Sequence, residues 1–172
     1  MPPTRSLRAT AYHEAGHAVA AHVQGIKIRK ATIKAEGDTL GGVEVVQLSQ
    51  ATVAALERGR VTPAQRARIE ADVIIDVAGA VAEHRHRGRY SRVGSTMDRD
   101  NVANKLLRLS NDAKEAYLYA AWLQQRTLNL IEYYWWAVEA VAQALLANET
   151  LTSERIAQVI DDARPSSAER RA

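Results

Sequence analysis

The sequence predicts a mainly α domain with a small β-hairpin or sheet after its first helix. Its apolar residues are chiefly Ala, Val, Leu and Ile, without any Phe, a mixture typical of helices. These residues recur at three- and four-residue spacing over most of the chain and alternate only between residues 26 and 48. With 172 residues, 47% of them hydrophobic, the chain is long enough for one packed domain. We expect this domain to span residues 1–162 and residues 163–172 to form a flexible tail.

Composition and charge exclude several kinds of protein. The chain has no Cys, which excludes disulfides, Cys-ligated zinc and a thiol nucleophile. This absence fits a reducing cytoplasm, where we expect the protein. The net charge of +3 is too small to indicate a nucleic-acid partner. No segment approaches the roughly 18 uncharged apolar residues of a membrane span, so we expect a soluble protein.

The first helix is predicted to begin between Ser6 and Thr10, which are both good N-cap residues, and to end near Gln24, before Gly25. Its apolar surface consists of small residues, which allow a neighbouring helix to approach closely. Beyond it, alternating apolar residues at 26–35 and 43–48 flank a turn-forming segment. This pattern predicts two strands of a hairpin.

A second long helix is predicted from Pro63 to about Arg87, because Thr62 supplies an N-cap and proline suits the first helical position. Gly79 in its middle costs about 1 kcal/mol relative to Ala, so we expect it to pack closely against the first helix. Residues 49–59 are predicted as a loop or short helix.

The last third of the chain is predicted to be helical. Residues 112–147 lack Gly and Pro and carry apolar residues at helical spacing, with Tyr117 and Leu118 among the expected core positions. One helix of that length would be about 54 Å long, so we predict a break within 132–135. A short helix at 153–162 follows a capping threonine.

The chemical signal of the sequence is His13-Glu14-Ala15-Gly16-His17, the HExxH pattern, within the first predicted helix. Residues four apart on a helix differ by about 40° in direction, so both imidazoles can reach one metal ion. Glu14, rotated by about 100° from His13, would lie beside the metal and could take a proton from a bound water. The alternative is a helix with two surface histidines and a solvated glutamate, and five residues alone do not decide between them.

A catalytic zinc usually has three protein ligands and an open fourth position. No further histidine follows His17 at the spacing typical of metzincins. Asp98 and Asp100 are both candidates for the third ligand, and their spacing leaves the choice open. Asp98 also fits the capping pattern Ser95-x-x-Asp98 at the start of a helix predicted to end near residue 110. The two roles are compatible, because a helix N-terminus presents a carboxylate rigidly.

The segment His84–Arg92 is rich in arginine and also contains His86. Two histidines two residues apart lie on different faces of a helix, and the neighbouring arginines repel a cation. We therefore expect a solvated loop and no metal site here. Its arginines would form an electropositive rim for acidic substrate segments.

Three further segments accompany the HExxH helix, and with it they resemble the motifs of a known family. In order they are TAYHEAGHAV at Thr10–Val19, AGAVAE at Ala78–Glu83, GSTMD at Gly94–Asp98 and AVAQALLANETLTSE at Ala140–Glu154. Together they are similar to the peptidase domain of FtsH-type ATP-dependent zinc metalloproteases, over roughly residues 10–160.

The resemblance implies that His13, His17 and Asp98 bind zinc. It also implies that Glu14 activates the water and that Glu83 lies close to the site. Glu83, and Asp100 from its position beside Asp98, could support the ligands or replace one of them.

A substrate site is implied by the same resemblance. The strand edge within Thr39–Val46 would hold the substrate backbone, and its central residues are Leu40, Gly41, Gly42 and Val43.

No Gly-x-x-x-x-Gly-Lys-Ser/Thr loop for binding ATP phosphates occurs in the sequence. We therefore expect an ATP-independent zinc endopeptidase that cleaves peptides or unfolded segments, alone or with a separate unfoldase. A non-catalytic binding module that keeps the fold and zinc is the alternative, and a nucleic-acid adaptor using Arg85–Arg92 is a third. The oligomeric state stays open, a homo-oligomer included.

Overall fold

The computed structural model describes residues 5–35, 41–88 and 95–166, and in residues 5–6 and 95–100 it describes the backbone only. Within these ranges it has seven helices and three short strands, which confirms the mainly α fold with a small sheet. The helices are α1 Arg5–Val23, α2 Gln50–Glu57, α3 Pro63–Arg87, α4 Ser95–Leu109, α5 Ala113–Tyr133, α6 Trp135–Asn148 and α7 Ser153–Asp162. The strands are β1 Ile28–Thr32, β2 Gly42–Val45 and β3 Thr150–Thr152. None of the described helices is long and apolar enough to cross a membrane.

The ends of α3 follow the capping signals of the sequence, whereas α1 begins at Arg5, before the predicted caps Ser6 and Thr10. At the start of α3, the Thr62 side chain accepts from the Gln65 backbone N–H at 3.2 Å, and the Gln65 side chain accepts from the Thr62 N–H at 2.9 Å. This reciprocal capping box confirms the predicted start. Gly25, two residues after the end of α1, and Gly88, at the C-cap of α3, have φ values of 68° and 69°, which glycine adopts without strain.

Helix α1 lies at the centre of the fold and packs against α3, α6 and the sheet. Six of its small residues have no exposed surface: Ala11, Ala15, Ala18, Val19, Ala20 and Ala21. Small side chains on several faces let the neighbouring elements approach the helix from different directions. The helix that carries the HExxH pattern is therefore fixed by the core of the domain.

The small sheet is antiparallel, in the order β2-β1-β3. In the β1–β2 hairpin, Thr32 pairs with Gly42 and Ile28 with Val45, with one irregularity between Ile28 and Lys30. The hairpin confirms the prediction, whereas β3 was not predicted. It pairs with β1 on the side opposite β2, so β2 forms one edge of the sheet among the described residues.

The predicted break in the long C-terminal helical segment lies at Tyr134, between α5 and α6. The expectation that Tyr117 and Leu118 belong to the core is wrong, because their exposed fractions are 73% and 57%. Helix α5 instead buries Leu123 and Ile131. The last residues of the predicted tail, 167–172, lie outside the described residues.

Candidate metal centre

The two histidines of the HExxH pattern face each other on α1. The Nε2 atoms of His13 and His17 are 3.1 Å apart, and the two rings are inclined at 75°. Two nitrogens bound to one tetrahedral zinc at about 2.05 Å would be roughly 3.3 Å apart. The observed separation agrees with that value to within a few tenths of an ångström, so the pair fits a shared metal ion.

The other nitrogen of each ring contacts an oxygen. Nδ1 of His17 lies 2.6 Å from the backbone carbonyl oxygen of Ile75, and Nδ1 of His13 lies 3.2 Å from Oε2 of Glu83. A carbonyl or an ionised carboxylate only accepts hydrogen bonds, so both Nδ1 atoms donate. In neutral imidazoles this leaves the lone pairs of the two Nε2 atoms directed at each other. Such an arrangement is favourable only with a cation between them, either a proton or a metal.

Two glycines allow α1 and α3 to approach closely enough to form this pair. A Cβ atom at Gly79 of α3 would lie 2.2 Å from His17 Nε2, so only glycine leaves room for the imidazole. A Cβ atom at Gly16 of α1 would lie 2.5 Å from the carbonyl oxygen of Ala78 and 2.7 Å from the Cβ of Ala82. The expected packing of Gly79 against the first helix is thus confirmed, and the ring that it admits is one of the predicted ligands.

Glu83 is held between the predicted ligand His13 and Arg87. Its side chain is 9% exposed; Oε2 contacts His13, and Oε1 accepts from Nη1 of Arg87 at 2.6 Å. Burial alone would raise the pKa of Glu83, but the hydrogen bonds from His13 and Arg87 outweigh it and lower the pKa below its usual value. Glu83 therefore stays ionised and orients the His13 ring, as carboxylates commonly do for metal-bound histidines.

The predicted general base, Glu14, is buried in the same region, with 6% of its surface exposed. The segment leading into β2 packs against it, since a Cβ atom at Gly41 would lie 3.3 Å from Glu14 Cγ and 2.8 Å from the carbonyl oxygen of Thr32. The structure thus places the start of the predicted substrate strand beside Glu14.

The described part of the predicted substrate strand, Gly41, Gly42 and Val43, lines a cavity of about 140 Å³. Lys30 and Lys34 of the neighbouring chain segment also border it. Leu40, the first residue of the predicted edge, lies outside the described residues.

The two candidates for the third ligand, Asp98 and Asp100, lie in the first two turns of α4, where only the backbone is described. Among the described side chains, no group of three His, Asp or Glu residues is arranged to hold a metal ion. The position of α4 relative to α1 and α3 therefore determines whether a third ligand can reach His13 and His17.

An ionic cluster joins α4 to α3. Nζ of Lys105 donates to Oδ2 of Asp72 at 2.5 Å and to Oδ2 of Asp76 at 2.7 Å. Nearer the end of α4, the carbonyl oxygen of Leu109 accepts from Arg66, at the start of α3, at 3.4 Å. The two helices are therefore antiparallel, and residues earlier in α4 lie level with residues later in α3.

Residues 84–87 form the last turn of α3, which confirms the predicted end of that helix near Arg87 and contradicts the loop expected for the same residues. Residues 89–92 lie outside the described residues. The ring of His86 stacks on Tyr12 with centroids 3.7 Å apart, and Arg85 lies 4.4 Å from the ring centroid of Trp135. His86 therefore packs against α1 at Tyr12, the residue before His13.

Three contributors to the site were missed by the sequence analysis: the Ile75 carbonyl, Arg87 and Lys105. A backbone acceptor such as the Ile75 carbonyl has no side-chain signal. For Arg87, the spacing Glu83-x-x-x-Arg87 at the end of a predicted helix was a visible signal of an ion pair.

The chain matches no protein-family model and no curated protein. The likeness to FtsH-type peptidases rests on four short segments of the sequence.

Proposed function

We propose that the protein is a zinc metallopeptidase that hydrolyses peptide bonds in peptides or unfolded segments without ATP. The observation that carries the proposal is that the Nε2 atoms of His13 and His17 face each other at 3.1 Å, while Nδ1 of each ring contacts an oxygen acceptor. Zinc fits this pair because imidazole nitrogens are among its usual ligands. When bound, it would polarise a peptide carbonyl and lower the pKa of water toward about 7.

Each protein group has a distinct role in this proposal. His13 and His17 hold the metal from successive turns of α1, in orientations fixed by Glu83 and the Ile75 carbonyl. Glu14 lies next to His13 in sequence and beside the entrance to β2, where it accepts the proton of the attacking water and later passes it to the leaving amine.

The antiparallel packing of α3 and α4 favours Asp98 over Asp100 as the third ligand. Asp98 precedes Lys105 by seven residues, which is about two turns and roughly 10 Å along the same face of α4. Since Lys105 is level with Asp72 and Asp76, a residue at this position is level with Gly79–Glu83, where α3 contacts both histidines. Asp100 precedes Lys105 by five residues and so lies on another face.

The substrate backbone would bind along the outer edge of β2. One side of β2 pairs with β1, and β3 occupies the far side of β1. An extended peptide added to β2 would pass Gly41, which packs against Glu14. This arrangement supports cleavage of extended, unfolded segments.

Purified protein tests the proposal through metal content and cleavage of a broad library of unstructured peptides. We expect one zinc per chain, loss of zinc on His17→Ala, and zinc retention with at least about 100-fold slower cleavage on Glu14→Gln. Asp98→Asn should weaken zinc binding more than Asp100→Asn. If the wild-type protein holds no zinc and Glu14→Gln leaves cleavage unchanged, the proposal is refuted. Stoichiometric zinc without any cleavage would favour the non-catalytic binding module.

A further inference from the structure

Arg87 is connected to the histidine pair His13 and His17 through Glu83, which it contacts on the side away from His13. Its Nη1 donates to Oε1 of Glu83 at 2.6 Å, while the other oxygen of the same carboxylate contacts Nδ1 of His13 at 3.2 Å. Arg87, Glu83 and His13 thus form a continuous chain of hydrogen bonds from the end of α3 to the first ligand on α1. All three side chains are largely buried, with 23%, 9% and 15% exposed.

The Arg87 contact is the shorter of the two contacts that Glu83 makes, and it is charge-assisted. A hydrogen bond of 2.6 Å between a guanidinium and a carboxylate is at the strong end for such pairs. The contact of 3.2 Å to His13 is longer and weaker. The position of the carboxylate is therefore set mainly by Arg87, and His13 follows it.

The guanidinium itself is placed by this contact. Its Nε is buried and has no hydrogen-bond partner among the described residues. An unpaired buried donor is unfavourable, so Nε does not hold the Arg87 side chain in this position. The position is instead explained by the ion pair with Glu83, which lies one helical turn earlier on the same face of α3.

From this geometry we infer that Arg87 is a positioning residue for the metal centre, which holds Glu83 so that Nε2 of His13 faces Nε2 of His17. The expected effect on zinc affinity rests on the proposed function. The direct effect of Arg87, however, is on the orientation and tautomer of His13, which exist in the metal-free protein as well. Arg87 would not touch metal or substrate.

Arg85 offers a matched control. It is an arginine in the same last turn of α3, yet its guanidinium contacts Glu132 and the ring of Trp135. Arg85→Met and Arg87→Met remove the same charge from the same end of the helix. Only the second removes the partner of Glu83.

The experiment compares zinc affinity, measured by competition with a chelator, in the wild type and these two variants. Loss of a group that orients a metal ligand typically weakens metal binding by about 10- to 100-fold, and we expect a change of this size for Arg87→Met. Arg85→Met should stay within about twofold of the wild type. Arg87→Lys keeps a donor within reach of Glu83, so it should recover part of the loss, and it replaces Arg87→Met if that variant does not fold.

A second arm identifies the route of the effect. In metal-free protein near pH 8, ¹⁵N NMR of the imidazoles should show His13 protonated at Nδ1 in the wild type and a mixture of tautomers in Arg87→Met. In a Glu83→Gln background, Arg87→Met should have little further effect on zinc affinity, because the residue through which it acts is already changed. A purely structural role for Arg87 would leave the tautomer of His13 unchanged.

The outcomes separate this inference from the proposed function. If the wild-type protein binds no zinc, the proposed function fails, and the tautomer of His13 still tests the role of Arg87. The inference is overturned if Arg87→Met, folded, keeps the wild-type tautomer of His13. It is also overturned if Arg85→Met weakens zinc binding as much as Arg87→Met does.

Discussion

Replacing Gly79 by alanine should weaken zinc binding at the proposed metal centre while leaving the domain folded. A Cβ atom there would lie 2.2 Å from His17 Nε2 and 2.7 Å from both Cδ2 and Cε1 of the same ring. Non-bonded carbon contacts are favourable only from about 3.5 Å, so the ring must move by roughly 1.3 Å. That shift breaks the 2.6 Å contact with the Ile75 carbonyl and far exceeds the tolerance of about 0.2 Å for a metal–ligand distance.

The cost to folding should be modest in comparison. Alanine is favoured over glycine within a helix by about 1 kcal/mol, and overpacking of this kind costs about 1–3 kcal/mol. The free energy of unfolding should therefore fall by no more than about 2 kcal/mol, while zinc affinity falls by at least about 100-fold. Urea unfolding and chelator competition measure the two quantities separately.

A double-mutant cycle with His17→Ala tests the cause. Once the imidazole has been removed, a methyl group at position 79 has room, so Gly79→Ala in that background should be neutral or stabilising by up to about 1 kcal/mol. The reasoning is refuted if Gly79→Ala binds zinc as tightly as the wild type. Equal destabilisation in both backgrounds would refute it too, because the added methyl would then meet something other than His17.

Further predictions concern the α3–α4 cluster and the segment before β2. Lys105→Met removes the cation shared by the buried Asp72 and the half-buried Asp76 and leaves Arg68 as the cation beside Asp72, so it should lower the free energy of unfolding by about 1–3 kcal/mol in urea titrations; a loss below about 0.5 kcal/mol would contradict this. Burial alone would lower the pKa of Lys105, but Asp76 and Asp72 outweigh it and raise the pKa above the ordinary 10.5. The stabilisation is therefore complete below about pH 10.5 and is lost as the pH rises through the folded-state pKa, so the urea midpoint should fall at alkaline pH in the wild type and much less in Lys105→Met. Gly41→Ala would place a methyl group 2.8 Å from the carbonyl oxygen of Thr32 and should slow peptide cleavage without changing zinc affinity; unchanged cleavage in this variant would contradict substrate binding beside Gly41.

The sequence was sufficient wherever local signals determine structure. The capping pair Thr62-Pro63 located the start of α3, and the length of the C-terminal apolar pattern required the break at Tyr134. Strand β3 could not be predicted in this way, because it is three residues long and owes its existence to pairing with β1, more than a hundred residues earlier. The exposure of Tyr117 and Leu118 also escaped, since helical periodicity identifies apolar faces without showing which of them a neighbour covers.

In the candidate site, too, the features that depend on one helix alone could be predicted, whereas those that depend on packing between helices could not. HExxH spacing predicts that two imidazoles converge, because that convergence depends on one helix alone. The groups that orient those rings come from α3: a backbone carbonyl at Ile75 and a carboxylate at Glu83 that was expected only through family resemblance. Which face of α3 meets α1 is decided by Gly16 and Gly79. The sequence indicated the close packing of Gly79, but only the two helices together show that the His17 ring fills the room that it leaves.

The enclosure of α1 by the core also sets the angular precision of its two imidazoles. A nitrogen at the tip of a histidine lies several ångströms from the helix axis, so rotating the helix by about 10° would move it by roughly 1 Å. Alanine and valine side chains with no exposed surface, such as Ala15, Ala18 and Val19, hold the helix against such rotation. Enlarging any of them should therefore shift both imidazoles and weaken zinc binding at the proposed site, although none of these side chains is a proposed ligand.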